Sequence, residues 1–416
     1  MENGPVSFAG NTNMLERNPY SWTKLGHVLY VDQPAGTGFS AASYPYPVTT
    51  NERVTSDLYS WLKEFYRNFP HLLHKWLHIV GESYAGIYIP YIASEIVERP
   101  QELPVNLSSI TIGDGVFGNN AAMAAVTAVK YMKTQQAELG IPQDIMDAFD
   151  FGDRACGFDS VLRRANIYPP RNTIYIPGDP EHLNFKRGSS DMALSLQDTN
   201  TDSGSCNINP NTSSKVLDSI FNSPCHGPCA TFSTAADYMQ MTKSCFSLYN
   251  IRYDCHMESP IPSFTTYLNR ADVQAALNIP EAETPTDQTY LFEQCNSTIL
   301  DTLSPSHNHV TPPAYHILPD LITNHRLPVH IYQGKLDMLI NHIGVELVLQ
   351  NMTWNGMQGF QQKPHLEFLG EDGKVAGVRA EERGLSYHLF NEAGHVLPHD
   401  LPAEMFSYVR DVIVGS

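Results

Sequence analysis

One short segment constrains the fold more than any other, because a strand pattern, a sharp turn and a helix pattern follow one another without a gap. Trp76–Val80 is an apolar run of strand length, Gly81–Gly86 reads G-E-S-Y-A-G, and Ile87–Val97 has helical spacing. A serine on such a turn is lifted above the sheet, and small neighbours allow the tight backbone. The usual pattern is G-x-S-x-G, with Ala85 here in the last position. The segment predicts that Ser83 is a nucleophile rather than a surface serine.

Strand and helix patterns alternate along both ends of the chain. The predicted strands are His27–Asp32, Trp76–Val80, Ser108–Ile112, Pro328–Tyr332 and Ser386–Phe390. The predicted helices are Asn51–Phe69, Ile87–Val97, Asn120–Leu139, Ile261–Leu277, Gly344–Asn351 and Glu404–Val414. Each strand is short and apolar, as expected of a strand buried on both faces. The fold class is therefore α/β, with a mostly parallel central sheet flanked by helices.

The alternation stops between residues 121 and 260. This stretch contains an Ala-rich helix, proline turns, a Ser/Asp/Asn-rich run at Ser189–Ser205 and six of the seven cysteines. These six are Cys156, Cys206, Cys225, Cys229, Cys245 and Cys255. We expect a helical insertion stapled by disulfides. Residues 1–120 and 261–416 would then be the two halves of one core.

Charge excludes some partners. Acidic residues outnumber basic ones 44 to 26, and the formal net charge is −18. Nucleic acids and anionic membranes bind through basic patches, so neither is an expected partner. The sequence has no apolar run of the length that a membrane span needs. The chain gives no indication of its oligomeric state.

The cysteines point to an oxidising compartment. No C-x-x-C pair occurs and the spacings match no zinc site, so we expect disulfides, no metal and no cofactor. An odd count leaves one cysteine over. Glycosylation triplets at Asn106, Asn211, Asn296 and Asn351 agree with a secretory route. The first residues, MENGPVSFAG, nevertheless have neither region of a signal peptide.

A serine nucleophile needs a base, and the base needs an orienting acid. Nucleophile-elbow enzymes place these in the order Ser, Asp or Glu, His, each after a strand. Asp337 follows the strand Pro328–Tyr332, and His395 follows Ser386–Phe390. Neither residue is specific by itself, because the chain has 17 histidines and 44 acids. The ordered set predicts a triad of Ser83, Asp337 and His395.

With these residues in place, the chain resembles the serine carboxypeptidases of the carboxypeptidase Y type, an α/β-hydrolase family of lysosomal, vacuolar and secreted exopeptidases. The resemblance runs nearly end to end. Its motifs are E-N-G-P (Glu2–Pro5), N-P-Y-S-W (Asn18–Trp22), V-D-Q-P-A-G-T-G-F-S (Val31–Ser40), G-E-S-Y-A-G, G-D-G (Gly113–Gly115), N-I-R-Y-D-C (Asn250–Cys255), G-K-L-D-M-L-I-N (Gly334–Asn341) and A-G-H-V-L-P-x-D-x-P (Ala393–Pro402).

The resemblance implies a reaction and a set of roles. The enzyme would hydrolyse the C-terminal bond of peptides or proteins through an acyl-enzyme, in the vacuole or lysosome or outside the cell. Ser83 would be the nucleophile, His395 the base and acid, and Asp337 its partner. The backbone N–H of Tyr84 would supply half of the oxyanion hole.

The resemblance also implies a clamp for the substrate's free carboxylate, made by Glu2 and Glu82. A carboxyl group can hold a carboxylate only by sharing a proton, because two like charges in contact cannot both ionise. We therefore expect activity at acidic pH, in keeping with the acidic composition.

Members of this family carry W-x-N-G-G-P-G-C-S-S before E-N-G-P, and this sequence does not contain it. We expect that the chain lacks its first segment, and with it a second oxyanion donor. Losing one such donor typically costs about 100- to 1000-fold in turnover. The family cysteine of that motif pairs with the position of Cys295, which would explain the odd count. Ile340 also stands where many relatives have cysteine.

Two other functions stay open at this stage. An acyltransferase on the same scaffold would pass the acyl group to an alcohol in place of water. The retained Glu2 and Glu82 favour the peptidase, because they would bind a free carboxylate. A non-catalytic fragment or pseudoenzyme is the other alternative, against which the intact triad argues.

Overall fold

The structure is a computed structural model that describes residues 2–8, 14–40, 42, 49–178, 210–223, 226–253, 261–280, 291–293, 295–303 and 311–415. Its strands are β1 (Val6–Phe8), β2 (Leu15–Arg17), β3 (Trp76–Glu82), β4 (Asn106–Gly113), β5 (Val329–Gly334), β6 (Thr353–Trp354), β7 (Met357–Gln358), β8 (Leu366–Leu369), β9 (Val375–Glu382) and β10 (Leu385–Phe390).

A six-stranded sheet in the order β3-β4-β5-β10-β9-β8 organises the molecule. The first four strands in this order are parallel, and β9 and β8 continue the sheet as antiparallel strands. β4 pairs directly with β5 although the whole predicted insertion separates them in sequence. The parallel strands therefore end at one shared edge, where ligands and catalytic groups collect in open α/β sheets.

The described helices are α1 (Asn51–Asn68), α2 (Ala85–Glu98), α3 (Val126–Thr134), α4 (Gln136–Leu139), α5 (Gln143–Ala155), α6 (Phe158–Ala165), α7 (Ser213–Asn222), α8 (Thr231–Thr242), α9 (Ile261–Leu268), α10 (Ala271–Ala276), α11 (Ser297–Leu303), α12 (Ile317–Thr323), α13 (His342–Asn351), α14 (Leu397–Asp400) and α15 (Pro402–Tyr408). Thr50 caps α1 and Asn341 caps α13, each accepting a hydrogen bond from a backbone N–H of the first turn. None of these helices is long and apolar enough to cross a membrane.

Helices cover both faces of the sheet, as predicted. On one face, Ile110 and Ile331 belong to the largest core cluster, together with residues of α2, α12 and α13. On the other face, Tyr332 and Phe390 pack with Trp22 and with residues of α15. Strands buried on both sides account for their continuous apolar sequences.

The predicted strand at His27–Asp32 is wrong. The segment has no strand assignment and lies outside the sheet, in which β3 pairs with β4. The side chains of Val28, Leu29, Tyr30 and Val31 are between 36% and 55% exposed. A short apolar run becomes a strand only where a neighbouring strand satisfies its backbone groups, and no described strand pairs with this segment.

The predicted helix Ile261–Leu277 is two helices, α9 and α10. They are separated at Asn269, whose side-chain amide donates to the carbonyl of Phe292 and whose Oδ1 accepts from its N–H. The predicted helix Glu404–Val414 begins earlier, at Pro402, and continues as a π-helical turn over Val409–Val414. The predicted helix Asn120–Leu139 is divided into a π-helical turn over Ala121–Ala125, α3 and α4, with Gln135 between the last two. The remaining predicted strands and helices are present with shifted ends.

A disulfide joins two helices of the predicted insertion. Cys156 ends α5 and bonds Cys229, which lies just before α8. Cys245 is also disulfide-bonded. Cys295 is an exposed free thiol. Cys206, Cys225 and Cys255 lie outside the described residues.

Candidate active site

Ser83 lies on the sharp turn between β3 and α2. Its φ is +60°, a conformation rarely adopted by residues other than glycine. The Ser83 N–H donates to Gly113, and its carbonyl accepts from the N–H groups of Gly86 and Val116. The strained serine is thus tied to its own helix and to the loop after β4. The backbone N–H of Tyr84, the predicted oxyanion donor, stands at the start of α2.

Gly86, three residues after Ser83, has no room for a side chain because the backbone of Val116 lies against it. A Cβ on Gly86 would lie 2.6 Å from the carbonyl oxygen of Val116. The side chain of Tyr84 is fixed by a 2.6 Å hydrogen bond from its hydroxyl to the Leu303 carbonyl. These contacts explain why a G-x-S-x-A turn can be rigid here.

His395 and Asp337 form a buried pair. Nδ1 of His395 lies 2.7 Å from Oδ2 of Asp337, and Oδ1 of Asp337 accepts from the N–H of Ile340. Both side chains are buried. The other ring nitrogen of His395, Nε2, has no hydrogen-bond partner among the described residues. The pair has the geometry of a base held by its acid, with Nε2 left for a nucleophile.

Sequence reasoning missed Tyr249, which contacts His395 through both its ring and its backbone carbonyl. The ring of Tyr249 contacts the His395 imidazole edge to face, with centroids 4.7 Å apart. The Tyr249 carbonyl also accepts the His395 N–H at 2.6 Å. Asn250, which begins the N-I-R-Y-D-C motif, donates to Asp400, and Asp400 accepts from the N–H of Gly394. That motif was the signal that could have located this support.

Glu82 is the last residue of β3 and lies half-buried directly before the serine. Its Oε1 accepts a 2.9 Å hydrogen bond from the hydroxyl of Tyr332. Burial, and then the nearby charge of Glu2, raise the pKa of Glu82 well above its ordinary value. A buried carboxyl group in this state carries a proton that it can share with a second acid.

Glu2 reaches Glu82 because the two predicted motifs at the start of the chain bind each other. The side-chain amide of Asn18 donates to the Gly4 carbonyl, and the Asn18 N–H donates to Pro5. The Trp22 N–H donates to Asn3, and the Trp22 ring is buried in the cluster around Tyr332. The segment that carries Glu2 is therefore held against the sheet. The structure brings together the two acids predicted as the carboxylate clamp.

Among the described residues, one group of acids and histidines is close enough to hold a metal ion: Asp114, Asp337 and His395, with ligand atoms within 4.8 Å of one another. In this group, Nδ1 of His395 and Oδ2 of Asp337 are already hydrogen-bonded to each other.

The four glycosylation candidates differ in exposure. Asn106 and Asn211 are exposed, whereas Asn296 and Asn351 are half-buried. The Asn296 amide donates to the Gly36 carbonyl, and that of Asn351 donates to the Ile174 carbonyl.

Comparisons with known proteins agree with this arrangement. A profile of the serine carboxypeptidase family (Peptidase_S10) matches residues 1–415. A "Carboxypeptidase Y homolog" of Arthroderma benhamiae is 54% identical over 415 residues, covering 100% of this chain and 80% of the relative. "Carboxypeptidase sxa2" of Schizosaccharomyces pombe is 29% identical, covering 99% of this chain and 76% of the relative.

The fold has a solved neighbour. The crystal structure of Kex1(delta)p, a prohormone-processing carboxypeptidase from Saccharomyces cerevisiae, superposes with a TM-score of 0.69 at 18% identity. The match covers 99% of this chain and 78% of the neighbour. It supports the α/β-hydrolase fold that the family resemblance implied. With the family profile and the 54% identical relative, it leads to one conclusion: the chain belongs to the serine carboxypeptidase family.

Proposed function

We propose that this chain hydrolyses the C-terminal peptide bond of peptides or proteins, with Ser83 as the nucleophile. One observation carries the proposal. The strained turn of Ser83 and the buried 2.7 Å pair of His395 and Asp337 follow strands that end at the same edge of one sheet. A nucleophile, a base and an orienting acid placed in this order suit acyl transfer.

The reaction would proceed in two steps. Nε2 of His395 takes the hydroxyl proton of Ser83 as its oxygen attacks the scissile carbonyl, and the N–H of Tyr84 stabilises the oxyanion. The imidazolium, stabilised by Asp337, then gives the proton to the leaving amine of the C-terminal amino acid. Water, activated by the same histidine, hydrolyses the acyl-enzyme and frees Ser83.

Substrate selection would come from the clamp. The protonated Glu82 donates its proton to the free carboxylate of the substrate, and Glu2 lies beside it. This hydrogen bond requires the proton of Glu82, so binding weakens as pH rises and Glu82 ionises. Acid-pH activity and a preference for free C-termini therefore have the same origin.

The insertion and the location of the enzyme belong to the same proposal. Residues 121–260 follow β4 and precede β5 in the sequence, and β4 ends beside the strand that leads to Ser83. We assign them the role of a subdomain that covers the cleft. The Cys156–Cys229 bond favours a secretory compartment, that is, a vacuole, a lysosome or the extracellular space.

The clamp offers a direct test. An N-blocked dipeptide and its C-terminal amide present the same scissile bond, and only the first has a free carboxylate. At acidic pH we expect kcat/KM for the free acid to exceed that for the amide, with most of the difference in KM. Glu82→Gln should reduce this preference about 10- to 100-fold while retaining turnover of the amide. Equal rates for the two substrates in the unmodified chain would contradict carboxylate recognition.

The acyltransferase alternative is separated by the acceptor. An activated N-blocked ester would acylate Ser83 in either case, and added alcohol would compete with water for the acyl group. Hydrolysis that exceeds transfer at all alcohol concentrations below the molar range supports the peptidase. Transfer without detectable hydrolysis would overturn it.

A further inference from the structure

A third buried acid stands beside the proposed triad and has no role in the mechanism above. Asp114 follows β4, between the strands that precede Ser83 and Asp337. Its φ is +40°, and its N–H donates to the Tyr332 carbonyl. Aspartate is one of the few residues other than glycine that tolerate this conformation. Its side chain is buried.

The two oxygens of Asp114 have different surroundings. Oδ1 accepts hydrogen bonds from the side-chain amide of Gln333 at 2.6 Å and from the Gly334 N–H at 2.8 Å. Oδ2 accepts no hydrogen bond from any N–H or O–H group of the described residues. One oxygen of Asp114, one of Asp337 and a ring nitrogen of His395 lie within 4.8 Å of one another. Oδ1 is therefore fixed as an acceptor, and Oδ2 is the oxygen on which a proton can reside.

Two buried carboxyl groups this close cannot both carry a full charge. Asp337 must be ionised to stabilise the imidazolium of His395, so the shared proton belongs on Asp114. The charged groups around Asp114 also favour a proton on this residue. Burial, then the charge of Asp337, raise the pKa of Asp114, and Glu82 at the end of β3 adds to this, against a smaller opposing effect of the Gly334 N–H. Two tyrosines, Tyr332 and Tyr387, complete these surroundings.

We propose that Asp114 is a positioning residue that stays protonated in the working enzyme and donates a hydrogen bond from Oδ2 to the carboxylate of Asp337. This inference rests on the proposed function. The donated bond holds Asp337 in place for His395 and draws part of its negative charge away from the imidazole. The base then remains neutral, and able to accept the serine proton, at lower pH than with an unassisted aspartate. Asp114 thus supports catalysis at acidic pH without touching the substrate.

Two substitutions separate this role from a structural one. Asp114→Asn keeps an acceptor for Gln333 and Gly334 and presents an N–H donor to Asp337, so the acid limb of kcat/KM should stay within about 0.3 pH units of the unmodified enzyme. Asp114→Val removes the donor. Its acid limb should move to higher pH by about 0.5 to 1 unit, because the undivided charge of Asp337 favours the protonated imidazole.

Asp153 provides a matched control. It is a buried acid on α5, and burial, with the charges of Asp159 and Asp150, raises its pKa to about 7. Asp153→Asn should leave the acid limb unchanged. If Asp114→Asn instead moves the acid limb to lower pH by a full unit, Asp114 is ionised in the active enzyme and the proposal is wrong. If Asp114→Val lowers the melting temperature and leaves the pH profile in place, the residue is only structural.

Infrared spectroscopy tests the proton without relying on activity. At neutral pH the carbonyl stretch of a protonated carboxylic acid should be present in the full chain and weaker in Asp114→Asn by one group. An unchanged band would overturn the proposal even in an active enzyme. If the band weakens by one group as expected but the full chain releases no C-terminal residue, the proposed function fails while the protonation of Asp114 stands.

Discussion

Tyr332 controls the proton on Glu82, because its hydroxyl is the donor to Glu82 Oε1 at 2.9 Å and this bond works against the raised pKa of the acid. In Tyr332→Phe the Glu82 pKa should rise further. The alkaline limb of kcat/KM for a free C-terminus should therefore move up by about 0.5 to 1 pH unit. The pH profile of an N-blocked dipeptide measures this shift.

Tyr408→Phe is the control for that substitution. Tyr408 packs against Tyr332 in the same cluster, and its buried hydroxyl makes no hydrogen bond to a described residue. Its alkaline limb should coincide with that of the unmodified chain. A Tyr332→Phe profile that also coincides would contradict control of Glu82 by Tyr332.

The glycosylation triplets should differ in occupancy when the chain is made in a eukaryotic secretory pathway. Both polar atoms of the Asn351 amide bond Ile174, with Oδ1 accepting from the N–H at 2.8 Å. A glycan on its nitrogen would break this contact at the end of α13, whereas Asn106 is exposed. Peptide mapping after glycosidase treatment should find modified Asn106 and unmodified Asn351. Full occupancy at Asn351 would show that the contact forms no barrier.

For single residues, the sequence predicts which side chains could react, but it does not predict the contacts that hold those side chains in position. Ser83, Asp337 and His395 could be proposed because their order follows the strands. Tyr249, which directly precedes the N-I-R-Y-D-C motif, and Asp114, in the middle of G-D-G, could be located by motif but not assigned a role. One contacts His395 through its ring and its carbonyl, and the other lies close to Asp337. Such contacts depend on the packing of distant segments.

The strand–turn–helix element that carries Ser83 depends on backbone packing, and this can be tested away from the reacting atoms. In Gly86→Ala the new Cβ would approach the Val116 backbone to 2.6 Å, which cannot relax as a flexible side chain would. We expect the free energy of unfolding to fall by about 1–3 kcal/mol. Urea denaturation of the purified variants gives this value.

Gly26→Ala is the corresponding control, since nothing lies within 4 Å of its added Cβ. Its free energy of unfolding should match that of the unmodified chain within about 0.5 kcal/mol. If the two variants are equally stable, the close approach of α2 to the loop after β4 is not a constraint on this turn.

Helices and strands were predicted well where the local sequence contains the signals for their two ends. α1 has a capping threonine and a proline just past its end, and its predicted and observed ranges agree to one residue. His27–Asp32 has the composition of a buried strand, but burial depends on neighbours that local sequence does not specify. β8 and β9 were missed because their half-buried pattern is weaker than that of the parallel strands.

The whole molecule combines two sets of buried titratable groups with opposite effects on stability. Burial lowers the pKa of four histidines: His78, His330 (to about 4), His342 (to about 3) and His388 (to about 3). They are neutral in the folded state, and the unfolded chain binds protons below its ordinary histidine pKa of 6.5. Their contribution is therefore lost as pH falls from about 6.5 towards 3–4.

Buried acids act in the opposite direction. Burial raises the pKa of Glu82 and Asp114, and it raises that of Asp153 and Glu346 to about 7. Each keeps its proton in the folded state, while the unfolded chain releases it above the ordinary values of 3.8 and 4.5. Their contribution is complete below those values and is lost as pH rises to about 7 and beyond.

The two sets oppose each other between about pH 4.5 and about pH 6.5, so the melting temperature should be nearly flat there and fall on both sides. Differential scanning calorimetry across the pH range tests this. Glu346→Gln should reduce the loss of stability between about pH 4.5 and about pH 7, because one of the acids can no longer ionise. A melting temperature that rises steadily to alkaline pH would contradict the assignment of these buried acids.

Release of the C-terminal amino acid from an N-blocked dipeptide at acidic pH tests whether Ser83 is the nucleophile of a carboxypeptidase. The unmodified chain should release the amino acid, and Ser83→Ala should lower kcat at least about 1000-fold. Ser94→Ala, in the helix α2 that follows Ser83, should retain full activity. Full activity in Ser83→Ala would show that Ser83 is not the nucleophile.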